Sequence, residues 1–80
     1  MKEFFVYAIK SLHRNYIYVG LTDNLERRIQ EHNHGKGRST KPYAPFQLIY
    51  FEKVGSREDA RTREKYLKSG SGKEFLKKIK

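Results

Sequence analysis

The stretch from Tyr16 to His32 constrains the fold most, because it joins two patterns that require different secondary structures. Residues Tyr16 to Val19 are aromatic and β-branched, as is typical of a β-strand, and the run ends at Gly20. Asp23 is then a good helix N-cap, with Glu26 three residues later, as a capping box requires. The sequence therefore predicts a strand that breaks at Gly20 and leads into a helix. We expect glycine to be required there because a side chain would crowd the strand end and resist a positive φ.

The predicted helix carries basic residues on a face that suits an anion. Arg28 and His32 are four residues apart, so they lie one turn apart on the same face. A guanidinium fork beside an imidazole suits a phosphate group. The alternative is that Arg28 is a solvated surface charge and that His32 is a cation at the helix C-terminus. The sequence by itself leaves both interpretations open.

The chain is short and strongly basic. Its 80 residues predict one small domain, residues 1–80, and its formal net charge is +9. No acidic residue occurs from residue 33 to 51, and Lys36, Arg38 and Lys41 add positive charge there. This distribution is typical of nucleic-acid-binding proteins, so we expect Arg27 and these three residues to contact nucleic acid. Proteins that touch acidic membranes or the ribosome can be equally basic.

The composition also predicts a compartment. The chain has no cysteine, which excludes disulfides and thiolate metal sites. No apolar run approaches the roughly 20 residues that a membrane span needs, and the first residues lack the apolar region of a signal peptide. We therefore expect a soluble, cytoplasmic protein with no membrane partner.

Strand and helix patterns together predict an α+β fold. The run Phe4 to Ile9 is aromatic and apolar throughout, which predicts a central strand covered on both faces. It should form an antiparallel hairpin with the strand of residues 16–19. A basic loop then runs from Gly35, the expected helix C-cap, to Pro45 and leads to a third strand, Phe46 to Phe51.

Two further helices complete the prediction. Ser56 should cap a helix from Arg57 to Lys68, whose core candidates are Ala60, Tyr66 and Leu67. Gly70 should end this helix, and Ser71 should cap a short last helix. The predicted fold is thus a small three-stranded sheet, an antiparallel hairpin plus a third strand, flanked by helices.

Glu64 is the acid that could take part in chemistry. It follows Ala60 by four residues, so it lies at the edge of the buried stripe, among basic neighbours. A carboxylate there could hold Mg²⁺, with waters completing the shell. Together with a phosphate-binding Arg28 and a tyrosine base, it would supply what phosphodiester hydrolysis needs. The alternative is a surface acid in helix salt bridges, and spacing does not show that these groups converge.

These motifs, in this order, resemble the GIY-YIG nuclease superfamily, specifically its small stand-alone bacterial branch. Phe5-Val6-Tyr7 stands where the family has Gly-Ile-Tyr, and Tyr18-Val19-Gly20 is a conservative form of Tyr-Ile-Gly. The family's arginine lies eight residues beyond that glycine, at Arg28, and His32 follows one turn later. The resemblance covers nearly the whole chain. Its downstream matches are Thr40, Pro45, the Leu48-Ile49-Tyr50 strand, and Ala60 with Glu64.

The resemblance implies a GIY-YIG-like fold and metal-dependent hydrolysis of a phosphodiester at one site. Glu64 would be the ligand of one Mg²⁺ or Mn²⁺ ion, and Arg28 would stabilise the transition state. Tyr7 or Tyr18 would be the base, helped or replaced by His32. The implied substrate is nucleic acid, DNA ahead of RNA, and a protein partner is expected to supply specificity. The alternatives are a non-catalytic nucleic-acid-binding module of the same fold and a small ribosome-associated protein.

Overall fold

A three-stranded antiparallel sheet forms the centre of the protein, in a computed structural model that describes residues 3–79. The elements, in chain order, are β1 (Phe4–Ser11), β2 (Ile17–Thr22), α1 (Leu25–Asn33), a 3₁₀ turn (Lys41–Tyr43), β3 (Phe46–Val54), α2 (Arg57–Lys68) and α3 (Gly70–Ile79). The strand order is β2-β1-β3, and both pairs are antiparallel. The predicted α+β class, the hairpin and the third strand are therefore confirmed.

The central strand β1 supplies both halves of the core, because alternate residues of a strand point to opposite faces. Val6 and Ala8 are fully buried against α2 and α3 on one face. Tyr7 and Ile9 are fully buried on the other face, against Phe46 and the apolar side of α1. The sheet therefore lies between two helical layers, and α1 covers the face that carries Tyr7.

Sheet pairing carries all three strands beyond their predicted ends. β1 continues from Ile9 to Ser11, which pairs with Phe46 of β3. β2 does not break at Gly20 but continues to Thr22, because Gly20 pairs with Tyr7 of β1. β3 likewise continues to Val54, which pairs with Phe4. The backbone ladder to β1 thus sets the strand lengths, and it overrides the weak strand preference of glycine.

The start of α1 lies one residue later than predicted. Asn24, not Asp23, is the N-cap, and its side-chain oxygen accepts the Arg27 N–H at 3.1 Å. The Thr22 hydroxyl accepts the Asn24 N–H at 3.1 Å, so it closes the turn before the helix. At the other end, Gly35 follows the C-cap residue with a φ of 75°, a left-handed conformation that favours glycine.

The second helix has the predicted bounds but a smaller apolar face. The Ser56 hydroxyl caps α2 by accepting the Asp59 N–H at 3.1 Å. Ala60 and Leu67 are buried, as predicted, whereas Tyr66 is 42% exposed. Successive helix residues lie about 100° apart around the axis, so a tyrosine directly before the buried Leu67 points away from the core.

The third helix begins earlier than predicted. Gly70 does not end α2, which stops at Lys68, but is the first residue of α3. Ser69, rather than Ser71, caps α3, because its hydroxyl accepts the Gly72 N–H at 3.3 Å. No helix within residues 3–79 is both long enough and apolar enough to cross a membrane.

The segment between α1 and β3 is held against the sheet at several points. The Tyr43 ring stacks on Tyr16 with 3.9 Å between the centroids. The Ser11 hydroxyl donates to the Tyr43 carbonyl at 2.7 Å, and the Asn33 side chain accepts the Phe46 N–H at 2.7 Å. This segment therefore has a fixed position beside α1, which is where the candidate site lies.

Candidate active site

Two tyrosines from neighbouring strands lie side by side on the face of the sheet that α1 covers. Tyr7 of β1 and Tyr18 of β2 belong to the same apolar cluster, and their ring centroids are 6.3 Å apart. Tyr7 is fully buried, whereas Tyr18 is half-buried. The hairpin thus brings together the two tyrosines that the sequence pattern selected, and only Tyr18 is open to solvent.

Gly20 leaves the space that these two rings fill. A Cβ atom at Gly20 would lie 2.7 Å from the Tyr7 hydroxyl oxygen and 2.9 Å from Cε2 of Tyr18. Both distances are too short for a carbon atom, so crowding requires glycine here, as expected. The expected positive φ is wrong, because Gly35 is the glycine that has one within residues 3–79.

His32 reaches the tyrosines from the last turn of α1. Its side chain is 1% exposed, and its Nε2 lies 2.9 Å from the Tyr7 hydroxyl oxygen. On the other side of the ring, Nδ1 lies 3.0 Å from the hydroxyl oxygen of Thr40, which is also 1% exposed. The alternative of an exposed cation at the helix end is therefore wrong for His32. Buried hydrogen bonds hold the ring at both nitrogens.

The hydrogen bonds of the site fix which atoms carry protons. The Thr40 hydroxyl donates to the Gly37 carbonyl at 3.4 Å, so it accepts from the N–H group at Nδ1 of His32. A neutral ring then has a free lone pair on Nε2, which accepts the Tyr7 O–H. Tyr7, His32 and Thr40 thus form one continuous chain of hydrogen bonds, and the charge of Arg28 acts on the Tyr7 hydroxyl.

Arg28 is held in place by an acid that the sequence analysis did not select. Its Nη1 lies 2.8 Å from Oε1 of Glu31, and its side chain is 34% exposed. The hydrogen bond to Glu31 is the main reason that the pKa of Arg28 is raised. Glu31 stands three residues after Arg28, and that spacing was the available signal for this pair. Arg28 is therefore positioned at the surface beside the buried Tyr7.

The environment keeps both Tyr7 and His32 neutral near pH 7. Burial, with a smaller contribution from Tyr18, raises the pKa of Tyr7 to about 12, although Arg28 partly offsets this. Burial also lowers the pKa of His32, and the Arg28 charge adds to the effect. A neutral imidazole with a free lone pair on Nε2 is thus the partner of the Tyr7 proton.

Glu64, on α2, acts on this cluster through its charge. Its negative charge is among the causes that raise the Tyr7 pKa, so Glu64 and Arg28 act on the same hydroxyl with opposite signs. The side chain is 23% exposed, and Oε2 lies 3.2 Å from Nζ of Lys68. Glu64 is therefore a helix salt-bridge acid, as the alternative interpretation predicted, whose charge also acts on the Tyr7 hydroxyl.

The donor set near Glu64 fits a weakly ligated hard cation. Within residues 3–79, no three His, Asp or Glu side chains are grouped to hold a metal ion together. Mg²⁺ usually keeps several waters and takes one or two carboxylates together with substrate phosphates. The partly exposed carboxylate of Glu64 is a ligand of this kind, whereas Glu31, the other acid of the site, pairs with Arg28.

The predicted nucleic-acid contacts lie around the site at the surface. Lys36, Arg38 and Lys41, here called the loop cations, are all exposed. They flank Thr40, which joins their segment to His32. Arg27 is 60% exposed and pairs with Asp23 at 3.4 Å and Glu31 at 3.9 Å. The loop cations and Arg27 are accessible to a polyanion, but the acids partly neutralise Arg27.

Comparison with known proteins gives the family. A family model described as the GIY-YIG catalytic domain matches residues 3–80. The chain is 40% identical over 80 residues to a UPF0213 protein of Staphylococcus haemolyticus, which covers 99% of this chain and 96% of the relative. It is 37% identical over 82 residues to a UPF0213 protein of Syntrophus aciditrophicus, at 100% and 93% coverage.

A solved structure agrees with these sequence matches. The solution NMR structure of the UPF0213 protein BH0048 from Bacillus halodurans is 32% identical and covers 98% of this chain and 85% of that chain, with a TM-score of 0.57. The match spans the sheet and the helices that hold the tyrosine cluster. The chain therefore belongs to the GIY-YIG family and, within it, to the small UPF0213 proteins.

Proposed function

We propose that this protein is a metal-dependent endonuclease that hydrolyses phosphodiester bonds in nucleic acid, with DNA ahead of RNA as substrate. One small nuclease domain, residues 1–80, would act in the cytoplasm, with a protein partner supplying specificity. The observation that carries the proposal is the buried hydrogen-bond chain from Tyr7 through His32 to Thr40, with the charges of Arg28 and Glu64 acting on the Tyr7 hydroxyl. A cation, a proton path and a carboxylate at one place are what phosphodiester hydrolysis needs.

The proton path begins at a tyrosine. With its pKa near 12, Tyr7 does not ionise by itself at neutral pH. It can still take a proton from an attacking water if its own proton moves to Nε2 of His32, 2.9 Å away. Because Tyr7 is fully buried, this requires a movement that opens its hydroxyl to the attacking water. Tyr18 is half-buried and needs no such movement, so it is the second candidate for the base.

Two charged residues, Arg28 and Glu64, would have different roles in the reaction. Arg28 binds the phosphate and stabilises the negative charge that grows on its oxygens in the transition state. Glu64 would hold one Mg²⁺ or Mn²⁺ ion. When bound, such an ion supplies positive charge that neutralises the leaving oxygen. Lys68, which pairs with Glu64 at 3.2 Å, is the side chain that must give way to the ion.

The test is a cleavage assay on single-stranded, duplex and branched DNA and on RNA, each with Mg²⁺ and with Mn²⁺. Glu64→Gln keeps the side-chain shape but removes the charge that a metal ion needs, so cleavage should be lost. Affinity for nucleic acid, measured without divalent ions, should stay equal or rise because a repulsive acid has gone. Glu74→Gln is the matched control, since Glu74 is an exposed acid of α3, and it should cleave like wild type.

Three further variants assign the roles. Arg28→Ala should weaken binding and also slow cleavage, by the few kcal/mol that a transition-state donor is typically worth. Tyr7→Phe and Tyr18→Phe should keep binding and lose rate, and the larger loss identifies the base. Tyr66→Phe, an exposed tyrosine of α2, should change neither.

A clear negative result would separate enzyme from binding module. If wild type cuts no substrate with either metal, and Glu64→Gln changes neither metal affinity nor nucleic-acid affinity, the endonuclease proposal is wrong. A basic fold that still binds nucleic acid would then be a non-catalytic binding module. Binding confined to ribosomes would indicate the ribosome-associated protein.

A further inference from the structure

A groove with a volume of about 590 Å³ lies between β2 and helices α2 and α3. We call it the β2 groove; its lining includes residues 15–19 on one side and Lys68, Lys73 and Lys77 on the other. β2 is an edge strand, paired with β1 alone among the described strands. A volume in this range, about 300 to 1,000 Å³, is usual for sites that hold a ligand. The groove is separate from the loop cations, which lie on the α1 side.

The charged side chains that line the β2 groove are all basic. Three lysines line it, and none of its described lining residues is acidic. Lys73 and Lys77 form none of the ion pairs found within residues 3–79, and both are exposed. They stand four residues apart on α3, about 6 Å along the helix axis. Two ammonium groups one turn apart can therefore contact neighbouring phosphates of one strand.

The β2 groove is continuous with the candidate active site. Tyr18, which packs against His32 with ring centroids 5.0 Å apart, also lines the groove. Lys68 of α2 also connects the candidate active site with the β2 groove, because it pairs with Glu64 at 3.2 Å and lines the groove. A chain that leaves the site past Tyr18 enters this groove.

We propose that the β2 groove binds the sugar–phosphate backbone of a nucleic-acid strand beside the phosphate held at Arg28, with Lys68, Lys73 and Lys77 contacting its phosphates. The inference rests on the proposed function and names the path of its substrate. Backbone contacts of this kind carry no sequence information. They position the strand so that the bond to be cut lies between Arg28 and Glu64. The hydroxyls of Tyr16 and Tyr18 and the Asn15 amide supply hydrogen bonds along the same path.

The test measures how binding depends on salt. Affinity for a fluorescein-labelled single-stranded DNA oligonucleotide is measured by anisotropy in EDTA at a series of salt concentrations, so that no cleavage occurs. Each lost phosphate contact lowers the slope of log affinity against log salt by about 0.7. The double variant Lys73→Gln/Lys77→Gln should therefore bind more weakly, with a slope smaller by about 1.4. An oligonucleotide of different sequence should show the same loss.

A matched control removes the same charge elsewhere. Lys78 lies on α3 outside the groove, and Lys53 pairs with Glu3 on the β3 side at 3.2 Å. Lys53→Gln/Lys78→Gln should keep the wild-type slope. Equal losses in the two double variants would overturn the proposal, because net charge alone would then explain binding. Absence of any binding by wild type would overturn it as well.

A second measurement keeps the result independent of the variants' folding. On titration of wild-type protein with the oligonucleotide, backbone amide NMR signals of residues 15–19 and 73–77 should shift, whereas those of Lys53 should not. Signals that shift only around the loop cations would contradict the proposal. If the NMR signals of residues 15–19 and 73–77 shift but no substrate is ever cut, the endonuclease proposal is wrong and the proposal for the β2 groove is kept. If substrates are cut but these signals do not shift, the endonuclease proposal is kept and the proposal for the β2 groove is wrong.

Discussion

Replacing Thr40 by valine tests the hydrogen-bond chain at its buried end. Valine has nearly the shape of threonine but cannot accept the Nδ1 proton of His32, now 3.0 Å from the Thr40 hydroxyl. Both side chains are 1% exposed, so water does not replace the lost acceptor. The variant therefore leaves a buried N–H group without a partner.

The size of the effect follows from that loss. A buried donor without a partner costs about 1 to 3 kcal/mol. In a domain of this length, each kcal/mol lowers Tm by about 4 to 8 °C. We therefore expect Thr40→Val to melt at least about 4 °C below wild type. Under the proposed function it should also cleave more slowly, because the imidazole loses the partner that keeps Nε2 ready for the Tyr7 proton.

The assay is thermal and urea unfolding at pH 7.5, followed by circular dichroism. Thr62→Val is the matched control, because the Thr62 hydroxyl donates to the Glu58 carbonyl at an exposed position of α2. Its free energy of unfolding should stay within about 0.5 kcal/mol of wild type. Nitrogen-15 NMR of the wild-type His32 ring should show the proton on Nδ1. A Thr40→Val protein as stable as Thr62→Val, or a wild-type ring protonated on Nε2, would refute the reasoning.

Three other predictions follow from the same structure. Alanine at all three loop cations should flatten the slope of log affinity for DNA against log salt, and an unchanged slope would show that they contact no phosphate. Gly20→Val should destabilise the fold by about 1 to 3 kcal/mol through overpacking; melting like wild type would make the glycine incidental. Because the folded-state pKa of His32 is lowered, the unfolded chain binds a proton there first as pH falls below 6.5. The free energy of unfolding should therefore decrease from pH 7 to 5, less so in His32→Gln, whereas His13→Gln should follow wild type.

The sequence predicted the elements well because each has a strong local pattern. The apolar run of β1 and the Ser56 cap of α2 are local signals, and both elements begin where these signals predict. The end of β2 was missed because a non-local contact decides it: the strand continues past Gly20 because β1 pairs with it. The start of α3 was missed although its cap is local, because Ser69 rather than Ser71 accepts the Gly72 N–H.

The candidate site, too, was predicted only in part from the sequence. The sequence selected Tyr7, Tyr18 and His32 from motif order, and the hairpin register together with the packing of α1 places their rings within 6.3 Å of one another. It gave no role to the Thr40 side chain, because a threonine between two basic residues of a loop has no local pattern that indicates a buried partner. The match of Thr40 to the family pattern was the one signal available.

The two ion pairs of the site show which side chain each proposed ligand must replace. Without ligands, Arg28 is neutralised by Glu31 at 2.8 Å and Glu64 by Lys68 at 3.2 Å. A phosphate that binds Arg28 must compete with Glu31, and a cation that binds Glu64 must displace Lys68. A cation at Glu64 therefore frees the Lys68 charge beside the β2 groove, where a nucleic-acid phosphate can take it as a partner. Metal and nucleic acid should consequently strengthen each other's binding, since a coupling between two sites is reciprocal. Because Lys68 is the shared element, Lys68→Gln should weaken that coupling even though it removes no metal ligand.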